Sequence, residues 1–135
     1  MKHIRETVAI EIYENTTDRL KKLSDACGEF NNEYFANARK EIDEKINAIG
    51  LASCVIATVG TEHHEEIVDA FRKISPEHRE WCVDQIGIYM TGMNELINKV
   101  SYMHDAGLIS DNLKKLSNNC YTAAVRAKKL IMEIV

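Results

Sequence analysis

A single proline, Pro76, and six glycines interrupt 135 residues. A β-rich fold reverses direction every few residues and needs far more turn formers, so their scarcity excludes it and points to long helices. Cysteine is present without pattern. Cys27, Cys54, Cys82 and Cys120 stand 27 to 38 residues apart with no CxxC, which excludes a local zinc knuckle and does not resemble a small disulfide scaffold. They read as small buried hydrophobes in a reducing compartment. Long apolar runs are also missing. The opening MKHIRETVAIEIYENTT lacks the apolar stretch of a signal peptide. The longest such run, LASCVIATV at 51–59, is about half the length that crosses a bilayer. The expectation is a cytoplasmic chain without a membrane partner. Glycine-rich phosphate loops, a Ser/His/Asp order and HExxH are absent too, removing the commonest nucleotide, hydrolase and metalloprotease signatures.

A basic excess is lacking as well. The net charge is −4, with residues 51–109 carrying nine acids against four bases and residues 110–135 two against five. Only the last segment, with Lys114, Lys115, Arg126, Lys128 and Lys129, could offer a basic stripe. Five cations there are what a solvated helix face carries, so nucleic acid is not an expected partner. Apolar residues at 45% and charged residues at 28% are ordinary globular composition, and the length suits one domain over 1–135 with one core.

Four segments show the 3-4 hydrophobic spacing of helices with one buried seam. The last is the clearest: Leu113, Leu116, Cys120, Ala123, Ala127, Leu130 and Ile134. The one before it reads Val83, Ile86, Met90, Met93, Ile97 and Val100, reaching His104 in register. The second runs Phe35, Ala38, Ile42, then Ile49, Ala52, Ile56 and Val59, with Lys45 out of step. The first keeps Tyr13, Thr16, Leu20, Leu23 and Cys27 in step, but its opening, Val8-Ala9-Ile10-Glu11-Ile12, alternates like a strand, leaving helix or strand open there. Gly28 followed by Asn31 and Asn32 marks one boundary and a cap. Gly60 marks another. Ser75-Pro76 places a serine N-cap before a proline at the first helical position. Asp105-Ala106-Gly107 closes that helix and Ser110-Asp111 opens the last. The pattern predicts an all-α, antiparallel four-helix bundle with a short extra helix, residues 62–73, between the second and third long helices.

The stretch TEHHEEIVDAF at 61–71 has the composition of a metal site. It supplies His63-x-x-Glu66 once, the reverse of the Glu-x-x-His order that di-iron bundles repeat on two helices. It reads instead as a helix start, with Thr61 as N-cap, carboxylates favoured by the helix dipole, and Ile67, Val68 and Phe71 as the packing face. No metal or cofactor site is expected. His78 and Cys82, four apart, would meet on one helix face as a thiolate–imidazolium pair or half a metal site. No orienting group or oxyanion donor accompanies them, and Cys82 beside Val83 suits a half-buried thiol. His104, at a seam position near a helix end, is placed to bond a carbonyl of its own last turn, with its charge favoured there.

Arg72-Lys73-Ile74-Ser75-Pro76-Glu77-His78 resembles the Arg-x(4–6)-His spacing of HEPN ribonucleases, which are small all-helical dimers. The resemblance covers these seven residues and the overall size. It implies a metal-independent ribonuclease with Arg72 on the phosphate and His78 in proton transfer. The sequence departs from that pattern where lysine follows the arginine, and Ser75-Pro76 would put the two residues on different elements.

The third long helix carries two interior glycines, Gly87 and Gly92, each costing about 1 kcal/mol against alanine. They are interleaved with Met90, Met93 and Met103, and methionine adapts to irregular surfaces. Being five apart, the glycines flank the seam from different sides. Ile88, Tyr89, Leu96, Tyr102 and Met103 widen the apolar face beyond the seam. A surface built of Gly87, Met90, Gly92, Met93, Leu96 and Met103 fits a partner copy, and the sequence reads as a non-enzymatic, self-associating interaction module, a homodimer or higher homo-oligomer. The alternatives are the ribonuclease and a bundle that binds a small apolar or anionic ligand.

Overall fold

The computed structural model describes residues 2–29 and 33–135. Five helices account for nearly all of them: α1 (Lys2–Gly28), α2 (Glu33–Ala57), α3 (His64–Arg72), α4 (Pro76–Asp105) and α5 (Asp111–Ile134). No strand occurs among the described residues. The protein is the anticipated all-α bundle, four long helices with a short one inserted between the second and third.

Two antiparallel hairpins build it, α1 with α2 and α4 with α5. In the first, the Arg5 guanidinium donates to the Val59 carbonyl at 2.9 Å at one end, and Ser24 donates to Asp43 at 3.2 Å towards the other. In the second, Gly87 faces Lys128 while His104 bonds Asp111 across the connecting loop. The alternating stretch at 8–12 is helical. Val8, Ala9 and Ile12 share the buried face while Ile10 points outward, a 3-4 spacing that a short window also reads as alternation.

The helix ends follow local chemistry. The Ser75 hydroxyl accepts the amide of His78 and the Ser110 hydroxyl that of Leu113, with Pro76 opening α4 where no amide partner is needed. Gly107, at φ 75°, closes α4 with the paired bonds of a Schellman turn, Leu108 N–H to Met103 and Gly107 N–H to His104. One capping expectation is corrected. Thr61 does not cap α3; its hydroxyl donates back to the Thr58 carbonyl at 2.8 Å, and α3 begins after His63 with no side-chain cap. The Thr58 carbonyl, one residue past α2, accepts both the Thr61 amide, at 2.9 Å, and this hydroxyl. The expected caps at Asn31 and Asn32 lie outside the described residues.

The core gathers the first half of α1, the second half of α2, α3, the first half of α4 and most of α5. Its largest fully buried side chains include Phe71, Ile12, Ile49, Ile56, Ile86 and Ile131. At roughly 1.5–3 kcal/mol for each fully buried aliphatic or aromatic side chain, this cluster dominates the stability. Two seams differ from their expected register. In α5 the buried positions are Ser117, Cys120, Ala124, Ala127 and Ile131, while Leu113 and Leu116 are exposed. In α4 they are Cys82, Ile86, Tyr89 and Val100, with Val83, Met90 and Ile97 only half-buried. The inward stripe of α4 is therefore Cys82, Ile86, Tyr89, Met93, Leu96, Val100 and Met103, in unbroken 3-4 steps. Leu96 and Met103 continue the register of that stripe but are exposed.

Candidate interaction surface

Tyr89 holds the register between the hairpins. Its hydroxyl donates to Glu11 at 2.5 Å, and burial, reinforced by that carboxylate, pushes its ionisation well above the usual tyrosine range. From this crossing α4 runs sixteen residues further, to Asp105, whereas α1 runs nine back to Lys2. At 1.5 Å per residue the last seven residues of α4, about 10 Å, with the start of α5 beside them, lie past Lys2, the first described residue of α1. The sequence continues the apolar seam into this overhang regardless.

The consequence is an uncovered apolar tip. Between residues 94 and 119 only Val100 and Ser117 are buried, and Val100 is not part of the core cluster. Leu96, Tyr102, Met103, Leu108, Leu113 and Leu116 are all exposed, Leu108 and Tyr102 by 68% and 76%. Leu113 continues the stripe of Ser117, Cys120 and Ala124, as Leu96 and Met103 continue that of α4. Three acids (Glu95, Asp105, Asp111) and three bases (Lys99, Lys114, Lys115) are interspersed, so this tip is neutral on a chain of net charge −4. His104 and Asp111 clasp its loop, with Asp105 3.5 Å from the other ring nitrogen. The Asp111 carboxylate holds the imidazole's pKa up, and the imidazole holds that carboxylate's pKa down. His104 thus bonds a side chain of the next helix, not a carbonyl of its own last turn, because the Schellman amides already occupy that turn.

The six residues expected at an interface fall on two sides of α4. Gly92 and Met93 line a groove against α1 with Glu11 and Arg19, and Leu96 and Met103 follow on that stripe. Met90 instead faces α5, in a shallow groove with Lys128 and Met132, and Gly87 lies on the same side, 3.8 Å from Lys128 Nζ measured from a Cβ built on it. A Cβ built on Gly92 meets nothing within 4 Å, so packing within the chain does not require that glycine.

The histidines find partners that sequence spacing did not indicate. His78 Nε2 lies 2.7 Å from Glu41 on α2, and this contact lowers the Glu41 pKa. Glu41, Glu44 and His78 bring their donor atoms within 4.8 Å of one another, a set assembled from two helices with both glutamates exposed. Cys82 is fully buried, and burial pushes its thiol up to about 12. It is a core thiol, not half of a thiolate pair. Arg72 ends α3 and pairs with Asp69 at 3.7 Å. Arg72 and His78 thus sit on separate helices with separate acidic partners. In the 61–71 stretch, His63 lies 3.5 Å from Glu62 at the surface, and His64 Nδ1 lies 3.3 Å from the Thr58 hydroxyl. The stretch works as a helix start.

The class these features define is an all-α bundle with an overhanging, apolar-tipped hairpin, and no helix among the described residues is long and apolar enough to cross a membrane. No protein-family model, curated protein or solved structure matches the chain.

Proposed function

We propose that this protein is a non-enzymatic interaction module that assembles with a second copy of itself through the α4–α5 tip. The carrying observation is the run of exposed apolar residues Leu96, Met103, Leu113 and Leu116 on the α4–α5 tip. An apolar stripe of this extent in water is unusual for a monomer. A twofold axis covers the same patch on both chains at once, turning two hairpins into a four-helix contact. The tip's balanced charge favours its own copy, because two −4 chains repel least where each is locally neutral. Gly92 leaves room at the edge of that contact, and Met103 adapts to it.

Sedimentation equilibrium from low to high micromolar concentration tests the reading. A dimer or larger mass is expected, weakened by Gly92→Leu. A strictly monomeric mass at high micromolar concentration overturns the assembly. Mixed RNA incubated with the protein in chelator is expected to stay intact; cleavage lost in both Arg72→Ala and His78→Ala, with the fold retained, overturns the non-enzymatic reading.

A further inference from the structure

A cleft of about 410 Å³ opens where the start of α1, the end of α2 and the middle of α5 meet. Its size is in the lower range of small-ligand sites. The walls are apolar, with Ile4 and Ile56 on one side and Ala123 and Leu130 on the other. Two guanidinium groups line it, Arg5 on α1 and Arg126 on α5, and no carboxylate does. On a chain with more acids than bases, that is a local reversal of sign.

Neither arginine forms an ion pair among the described residues. Arg5 spends one nitrogen, Nη2, on the Val59 carbonyl, while its Nε is shielded from solvent without a hydrogen-bond partner. A buried donor on a charged group is costly to leave unmet, and it leaves the guanidinium's positive charge uncompensated beside the cleft. Arg126 is exposed and forms no ion pair with a carboxylate of the described residues. Asn119 and Thr122 add neutral polar groups at the same wall; the Thr122 hydrogen is already given to the Asn118 carbonyl, leaving its oxygen as an acceptor.

We infer that this cleft binds a small anionic amphiphile, a monocarboxylate with a short apolar tail, its head on Arg5 and Arg126 and its tail between Ile4, Ile56, Ala123 and Leu130. A guanidinium presents paired donors that match a carboxylate's two oxygens. The apolar walls supply what a bare inorganic anion would leave unused. The inference is independent of self-association, since the cleft lies among core-forming segments rather than on the exposed leucines of the tip.

Titration of the full chain with octanoate, octanol and inorganic phosphate, followed by calorimetry and amide chemical shifts, tests it. Octanoate should saturate, with the largest shifts at Asn119, Thr122 and Arg126. Octanol and phosphate should each bind at least tenfold more weakly. Arg126→Ala, an exposed change read alongside the helical circular dichroism signal, should weaken octanoate at least tenfold, with Arg126→Lys recovering part. Equal binding of octanol removes the role of charge, and equal binding of phosphate removes the tail. Absence of saturable octanoate binding, or an affinity unchanged in Arg126→Ala, overturns the site.

Discussion

The two hairpins both extend past the core, and their tips meet water with opposite chemistry. Around the α1–α2 turn, positions 18–47, the exposed large apolar side chains among the described residues are Leu23 and Tyr34. Around the α4–α5 turn, positions 94–119, there are six. The first tip has a neighbour. The start of α4 lies along α2, with His78 on Glu41 and the Lys45 ammonium 5.6 Å above the Trp81 ring, and charged groups such as Arg39, Lys40 and Asp43 border the gap. At the second tip Leu96, Leu113 and Leu116 stay exposed. A leucine in register is buried only where another helix lies against it.

The strongest way to break the comparison is to charge the uncovered seam. Leu113→Glu with Leu116→Glu should abolish self-association while leaving the monomer folded, because both side chains are exposed in the single chain. Matching Leu23→Glu at the other tip should leave the mass unchanged. Each leucine buried in a contact contributes roughly 1.5–3 kcal/mol, so losing two per chain should weaken dimerisation by more than a hundredfold. Dimerisation surviving the double variant would move the interface elsewhere.

Hydrogen exchange sharpens it next. Amides of 96–104 and 112–118 should gain protection, by about tenfold, as protein concentration rises, whereas those of 20–28 and 34–44 should not. Equal behaviour of the two tips would erase the distinction.

A smaller effect belongs to the polar tip. His78→Ala should destabilise by about 1 kcal/mol or less, since the partner Glu41 is half exposed. Glu41 is held below its ordinary value of 4.5 by His78. Its contribution is therefore present above that value and lost as pH falls through the lowered pKa. The acid limb of a stability–pH curve should flatten in the variant, and an unchanged limb would show that the pair contributes nothing.

The smallest effect is the clasp of the apolar tip. His104 is held above its ordinary 6.5, so its share is complete below that value and fades as pH rises through the raised pKa. Asp111 is held below 3.8, so its share is present above that value and fades as pH falls through the lowered one. An NMR titration should place the His104 midpoint above 6.5, moving back towards it in Asp111→Asn. A midpoint at or below 6.5 in the parent chain would mean the clasp does not form in solution.

Much of this was legible in order. Serine before Pro76, serine before Asp111 and Gly107 are local devices whose partners lie within four residues, so the helix boundaries they set could be read directly. The misreadings share one cause. Thr61 could turn forward to α3 or back to the Thr58 carbonyl just past α2, and it turned back. In α4 the heptad can be traced through Val83, Met90 and Ile97 or through Cys82, Tyr89 and Leu96, and both are genuine, one facing α5 and the other α1. Periodicity cannot say which neighbour is which. Glu41 lies 37 residues from His78, and Arg5 lies far from Arg126, so no spacing rule joins either set.

Sequence alone therefore determined most of the elements: four long helices and a short one, with the ends at Ser75, Gly107 and Ser110, because helix period, proline, glycine and capping hydroxyls act over a few residues. Tertiary structure decided everything that depends on reach and juxtaposition. It set how α4 and α5 lie against the other helices, with Leu96, Met103, Leu113 and Leu116 exposed. It also brought Arg5 and Arg126 to one cleft with no carboxylate on its walls, since burial and charge pairing belong to the three-dimensional neighbourhood and not to any one helix.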